Sequence, residues 1–105
     1  MNVAVCVVTL HLLDTHSLKE KRGLLQSLMT RLRSRFNVSI AEVEGQDDIH
    51  QGVLGISCVN TAAGHAQETI DSVVRFMESE MIVGRAEVVD IQTEVLGGFD
   101  GGLSC

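Results

Sequence analysis

The fold is decided by residues 3–36, VAVCVVTLHLLDTHSLKEKRGLLQSLMTRLRSRF. Val3–Leu13 is rich in β-branched residues and apolar on both faces, which reads as a strand. Ala4, Cys6, Val8, Leu10 and Leu12 share one face; Val3, Val5, Val7, Thr9 and His11 share the other. A strand apolar on both sides is central in its sheet or covered twice. Asp14-Thr15-His16 is a turn, and Ser17 opens a helix with a capping box. Its hydroxyl is placed to accept from the Glu20 backbone N–H, and the Glu20 carboxylate from the Ser17 N–H. Leu18, Leu25, Leu28, Met29, Leu32 and Phe36 then recur on one helical stripe, with Leu24 on its shoulder. Asn37 ends the helix as a residue tolerant of left-handed backbone.

The same rhythm repeats outward. Val38–Glu44 reads as a second strand, residues 45–48 as a turn, and Gln51–Asn60 as a third strand. Leu54, Ile56 and Cys58 oppose Val53, Gly55, Ser57 and Val59 across that strand. Asn60 or Thr61 is the expected cap of a second helix running to about Glu80, with Ala66, Ile70, Val73, Val74 and Met77 as its buried stripe. Gly84 marks a break. Arg85–Leu96 is a fourth strand, with Val89, Ile91 and Val95 expected on one side and Asp90, Gln92 and Glu94 on the other. A βαββαβ order predicts an α+β, ferredoxin-like sandwich: a four-stranded antiparallel sheet, strands 1 and 3 in the middle, both helices on one face. Residues 1–96 form a single domain, and the glycine-rich residues 97–105 form a flexible tail.

With 105 residues, 45% of them hydrophobic, the chain is long enough to build a core without staples. That core must be aliphatic, because there is no Trp or Tyr. Cys6, Cys58 and Cys105 are odd in number and form no CxxC pair, which points to a reducing, cytoplasmic compartment. Met1–Leu13 lacks a basic leader region, and no apolar run reaches the roughly 18–20 residues of a membrane span. The net charge of −6 argues against non-specific nucleic-acid binding by the whole molecule. Yet residues 19–35 carry six cations against one carboxylate, a local +5 that leaves −11 for the remainder. So polar a small domain has a preferred contact surface.

The run Leu10-His11-Leu12, followed by His16-Ser17-Leu18-Lys19-Glu20-Lys21-Arg22, closely resembles the YlxP-like family of small bacterial proteins, also known as domain of unknown function 503. The likeness continues through residues 33–43, Gln46-Asp47 and Leu54-Gly55-Ile56, and covers about residues 1–95. SLKEKR is its most specific part; the Asp14-Thr15 turn departs from the family's frequent Pro-Gly. The resemblance implies a ferredoxin-like fold and no established enzymatic activity. Genes of the family often stand beside ribosome-binding factor A and translation initiation factors, which implies a ribosome-assembly or translation context.

Four groups of residues are candidate sites. Lys19, Lys21, Arg22, Arg31, Arg33 and Arg35 suit a phosphate-backbone contact, with RNA or the ribosome as partner and no DNA sequence readout. The competing reading is a solvated helix balanced by acids such as Glu42, Glu44 or Glu94, with Lys21, close to the apolar stripe, held in a structural ion pair. Val3, Val5, Val7, Ala41, Val43, Val53 and Val59 would crowd the helix-free sheet face, which predicts a homodimer. His11, Asp14 and His16 are metal-capable but match no strong metal signature, and no cofactor is expected. No catalytic constellation is present: Asp47 and Asp48 lack a partner base, and there is no glycine-rich phosphate loop. The expected function is a binding module, against a small-molecule effector module or an enzyme of unrecognised type.

Overall fold

The computed structural model describes residues 1–81 and 84–99. The elements run β1 (Asn2–Leu12), α1 (Leu18–Arg35), β2 (Ser39–Glu44), β3 (Gln51–Asn60), α2 (Ala63–Phe76) and β4 (Ala86–Leu96). After α2 the chain widens into a π-helical turn over Met77–Met81. The four strands form one antiparallel sheet in the order β2-β3-β1-β4, so the two most apolar strands are central, as expected. Both helices cover one face. The core joins Ala4, Cys6, Val8, Leu10 and Leu12 of β1 and Leu54, Ile56 and Cys58 of β3 to Leu25, Leu28 and Leu32 of α1 and Ala66, Ile70 and Val73 of α2. Among the described residues no helix is long and apolar enough to cross a membrane.

The helix starts differ from expectation in two details. Ser17 caps α1, its Oγ accepting from the Glu20 N–H at 3.1 Å, but the Glu20 carboxylate accepts from the His16 N–H at 3.0 Å and not from Ser17. At α2 the cap position is Ala62, which has no side chain to offer. Asn60 lies two residues too early, and its Oδ1 accepts from the Ala62 N–H at 3.1 Å instead.

Two register shifts correct the face assignments. One lies in the β1–β4 ladder, where Thr9 pairs with Asp90 but Leu10 pairs with Val88. Val89 is the extra residue, 56% exposed, and does not join Ile91 and Val95 on the helix side. Val88 and Val95 pack on the core in that strand. The other lies between Glu42 and Glu44 of β2, where Val43 is extra; Val43 keeps its expected place on the open face, and Glu44, paired with Val53, joins it there. An extra residue flips the alternation of side chains that face-reading depends on. Phe99 and the preceding glycines are described, whereas residues 100–105 of the glycine-rich tail, including Cys105, lie outside the described residues.

Candidate functional site

The six cations of α1 separate by where the helix turns them. Lys21 sits on the buried stripe with Leu25, Leu28 and Leu32 and is itself 1% exposed. Its Nζ donates to the carbonyls of Gly45 and of Asp48, the latter at 2.7 Å, and lies 3.0 Å from Glu42 Oε2. That oxygen is buried without a well-angled hydrogen bond, so Glu42 is held by charge rather than by a directed contact. Lys21 therefore cannot serve as a phosphate contact: it is the internal pin of the β2–β3 turn. The Gly45 carbonyl also accepts the turn's own bond from the Asp48 N–H at 3.0 Å, so the ammonium reinforces that turn through the second lone pair, and a buried ammonium needs such acceptors.

The other five cations are exposed. At 100° per residue, Lys19, Arg22 and Arg33 lie toward β2, and Arg31 and Arg35 toward α2. Arg33 donates to the Ile40 carbonyl at 2.8 Å, which fixes its guanidinium at the β2 edge. Arg35 lies 4.2 Å above the Phe76 ring, and Phe76 meets Phe36 edge to face. Among the described residues, Lys21 is the lysine or arginine with a carboxylate within 4.0 Å, and none of these five has one. The crown between the two basic rims is Gly23, Ser27, Thr30 and Ser34, exposed and uncharged, with Glu20 at its N-terminal end, its carboxylate accepting from the His16 N–H. A groove beside it, between α1 and the β2–β3 turn, is lined by Arg22, Gln26, Met29, Glu42, Gln46 and Asp47 and has a volume of about 350 Å³.

His16 Nε2 and Asp14 Oδ1 approach to 3.1 Å at the exposed start of α1. His11 lies on the open sheet face, paired with Gln51 and Glu87. No group of three metal-capable side chains forms among the described residues, so the H-x-x-D-x-H spacing does not become a site.

The open sheet face has the valines that the alternation predicts, with one exception. Val3, Val5 and Val7 are half-buried, Ala41 is exposed, and Val43 and Val59 are 47% and 56% exposed. Val53 is 5% exposed and is covered by its own chain, so it contributes no surface. Val43 leans over Gly55, where a Cβ would meet its Cγ1 at 2.8 Å. A shallow depression of about 350 Å³ remains there, lined by Val5, Val7, Ala41, Val43 and Gly55 among others. Along β4 the same face carries Glu94, Gln92, Asp90 and Glu87, opposite Val5, Val7, Thr9 and His11.

The family model described as protein of unknown function (DUF503) matches residues 3–93. The chain belongs to the DUF503 family. An uncharacterized protein, YlxP of Bacillus subtilis (strain 168), is 36% identical over 66 residues, 63% of this chain and 72% of its own. A de novo designed protein with a ferredoxin fold superposes with a TM-score of 0.52 at 15% identity, over 99% of this chain and 92% of its own. A dimeric ferredoxin-like protein from an uncultured marine organism has a TM-score of 0.46 at 11% identity, over 91% and 94% of the two chains. The likeness to the designed protein concerns the fold alone.

In this DUF503 chain the SLKEKR run serves mainly to build structure. Ser17 caps, Leu18 is half-buried, Glu20 closes the turn before the helix, and Lys21 pins the hairpin. Lys19 and Arg22 remain outward. The partnership of Arg35 with Phe76 was not readable from spacing, because Phe76 comes from α2 and the two helices meet only in the fold.

Proposed function

We propose that this DUF503 protein is a non-catalytic binding module that docks on an RNA phosphate backbone, ribosomal RNA above all, through the outward surface of α1. One observation carries the reading. Five exposed cations, Lys19, Arg22, Arg31, Arg33 and Arg35, flank a crown of small uncharged residues with no carboxylate within 4.0 Å of any of them among the described residues. An acidic protein that leaves its cations unneutralised on one helix has a surface suited to polyanions. The acidic remainder repels RNA elsewhere and confines contact to this helix. The uncharged crown lets a backbone approach closely, and mixed Lys and Arg contacts position the protein without reading bases.

Fluorescence anisotropy with a structured ribosomal RNA fragment between 50 and 200 mM salt tests it. With about four phosphates neutralised, the binding constant should fall with a log–log slope of roughly −3 to −4. Arg22→Glu with Arg31→Glu should abolish binding and co-sedimentation with ribosomal subunits while far-UV dichroism stays unchanged. Binding that survives both reversals sinks the proposal.

A further inference from the structure

The geometry points to a second function of the fold: the open sheet face joins a second copy of this chain, with the twofold axis parallel to the strands. This inference uses the side of the sheet opposite α1 and shares with the RNA reading only Arg33, which reaches from α1 to the β2 edge.

Three features fit a second copy. The first is extent. Three strands of roughly 33–36 Å and the shorter β2, at about 4.8 Å spacing, make a face of about 600 Å² in projection, at the lower end of the roughly 600–1,000 Å² per partner that stable interfaces bury. The second is shape. The β1 and β3 strands are adjacent at the centre, with Val7 directly opposite Gly55 in the ladder. A twofold axis running between them along the strands carries each β1 onto the partner's β3. The Val5 and Val7 side chains of one copy then enter the partner's depression beside Gly55, next to the Val43 methyl that covers the glycine itself, and the reverse contact follows by symmetry. The third is charge. The β4 column is acidic and the face has no lysine or arginine in its described strands. An axis perpendicular to the strands would lay β4 on β4, carboxylate on carboxylate. The parallel axis instead lays β4 over the partner's β2 edge, so that Asp90 comes level with Glu44 at one end of that edge while the other end holds Arg33, fixed by the Ile40 carbonyl. Glu94 of one copy thus faces the edge that holds the other copy's guanidinium.

Sedimentation equilibrium of the full chain at 1–50 µM (about the range where a micromolar dimer dissociates) tests the assembly. The expected mass is twice the 11.4 kDa of one chain. Val7→Glu should raise the dimer dissociation constant at least about a hundredfold by placing a carboxylate in the depression. Val59→Glu, at a position already 56% exposed, tests the same face should Val7→Glu fail to fold. Glu94→Arg should weaken the dimer about tenfold, and adding Arg33→Glu should restore it. A wild-type monomer at 50 µM (about fiftyfold above a midpoint of about 1 µM), or a dimer that a folded face variant leaves intact, overturns the proposal. A dimer lost on Val59→Glu but indifferent to the Glu94–Arg33 exchange overturns the axis. RNA binding by α1 is read separately with the two valine variants, because neither valine lies on that helix, and the Arg33 exchange is read by dimerisation alone.

Discussion

Lys21 of α1 and Glu42 of β2 form a buried ion pair at 3.0 Å, and the same ammonium closes the β2–β3 turn through two backbone carbonyls. The pair is asymmetric: the Lys21 side chain is 1% exposed and that of Glu42 is 18% exposed. Removing the lysine strands the Glu42 carboxylate and takes a partner from the Asp48 carbonyl, while the Gly45 carbonyl keeps only its bond from the Asp48 N–H. Removing the carboxylate leaves the lysine with its carbonyl partners. Lys21→Met, which keeps most of the apolar stem, should therefore cost about 3–5 kcal/mol in urea denaturation, and Glu42→Gln about 1–2 kcal/mol. The double variant Lys21→Met with Glu42→Leu should recover most of the loss relative to Lys21→Met, because no buried charge is left alone. Equal costs for the two single variants would contradict this account of the pair.

Gly55 is required by Val43 rather than by its own backbone, which has no positive φ. A Cβ there would stand 2.8 Å from Val43 Cγ1, and a β-branched side chain has few rotamers into which to retreat. Gly55→Ala should thus destabilise by about 1 kcal/mol, overpacking outweighing the entropy gain of alanine. In a Val43→Ala background the sign should reverse, and the same change should stabilise by about 0.5 kcal/mol. Thermal unfolding of the four proteins in this cycle reads the sign directly.

That contact also shows where the sequence was legible and where it was not. Element order was legible because the apolar period changes from two in β1 to 3.6 in α1, a change produced by backbone geometry alone. The position of Lys21 on the apolar stripe announced an internal partner, and Glu42 was among the acids at hand. Which acid would be chosen was not legible, since it depends on how the hairpin packs on the helix. The facing of Glu44 and Val89 was hidden for another reason. Val89 is the extra residue of one register shift and Glu44 follows the extra residue of the other, and a shift leaves no mark in alternation until the partner strand is placed. The α2 cap was misplaced because Asn60 forms a turn onto the Ala62 N–H, and a local side-chain bond of that kind resembles a cap in sequence.

Burial raises the pKa of the Cys6 thiol above its usual 9.0, partly opposed by the hydrogen bond that Thr93 Oγ1 donates to Cys6 Sγ at 3.7 Å, with the Asp71 carboxylate adding a smaller upward push. The folded state therefore holds this proton longer than the unfolded chain does. Below pH 9 both states are protonated at this site and its contribution to stability is fully present. As pH rises through 9 the unfolded chain releases the proton first, so stability declines until the folded thiol also ionises. Urea midpoints of the wild type should drop between pH 8 and 10 (roughly the span around an unperturbed thiol pKa), and Cys6→Ala should show a shallower drop. Parallel profiles for the two proteins would remove Cys6 as the cause.

The two helix starts are opposite cases of one physical rule. The first N–H groups of a helix have no internal partner, and a cap side chain supplies one. Ser17 supplies it to α1, accepting from Glu20 at 3.1 Å, so Ser17→Ala should cost about 1 kcal/mol. Ala62 supplies nothing to α2, although its backbone already has the extended conformation of a cap, φ −114° and ψ 129°. Ala62→Ser should consequently stabilise by about 0.5–1 kcal/mol, since it adds the acceptor without asking the chain to move. The Asn60 bond to the Ala62 N–H uses a different donor, so it survives the change and does not compete with the new hydroxyl. The combined Ser17→Ala and Ala62→Ser protein should then unfold at nearly the wild-type urea midpoint, the two caps being independent sites. A combined variant as unstable as Ser17→Ala alone would show that the free N–H groups of α2 are already satisfied by water at no cost.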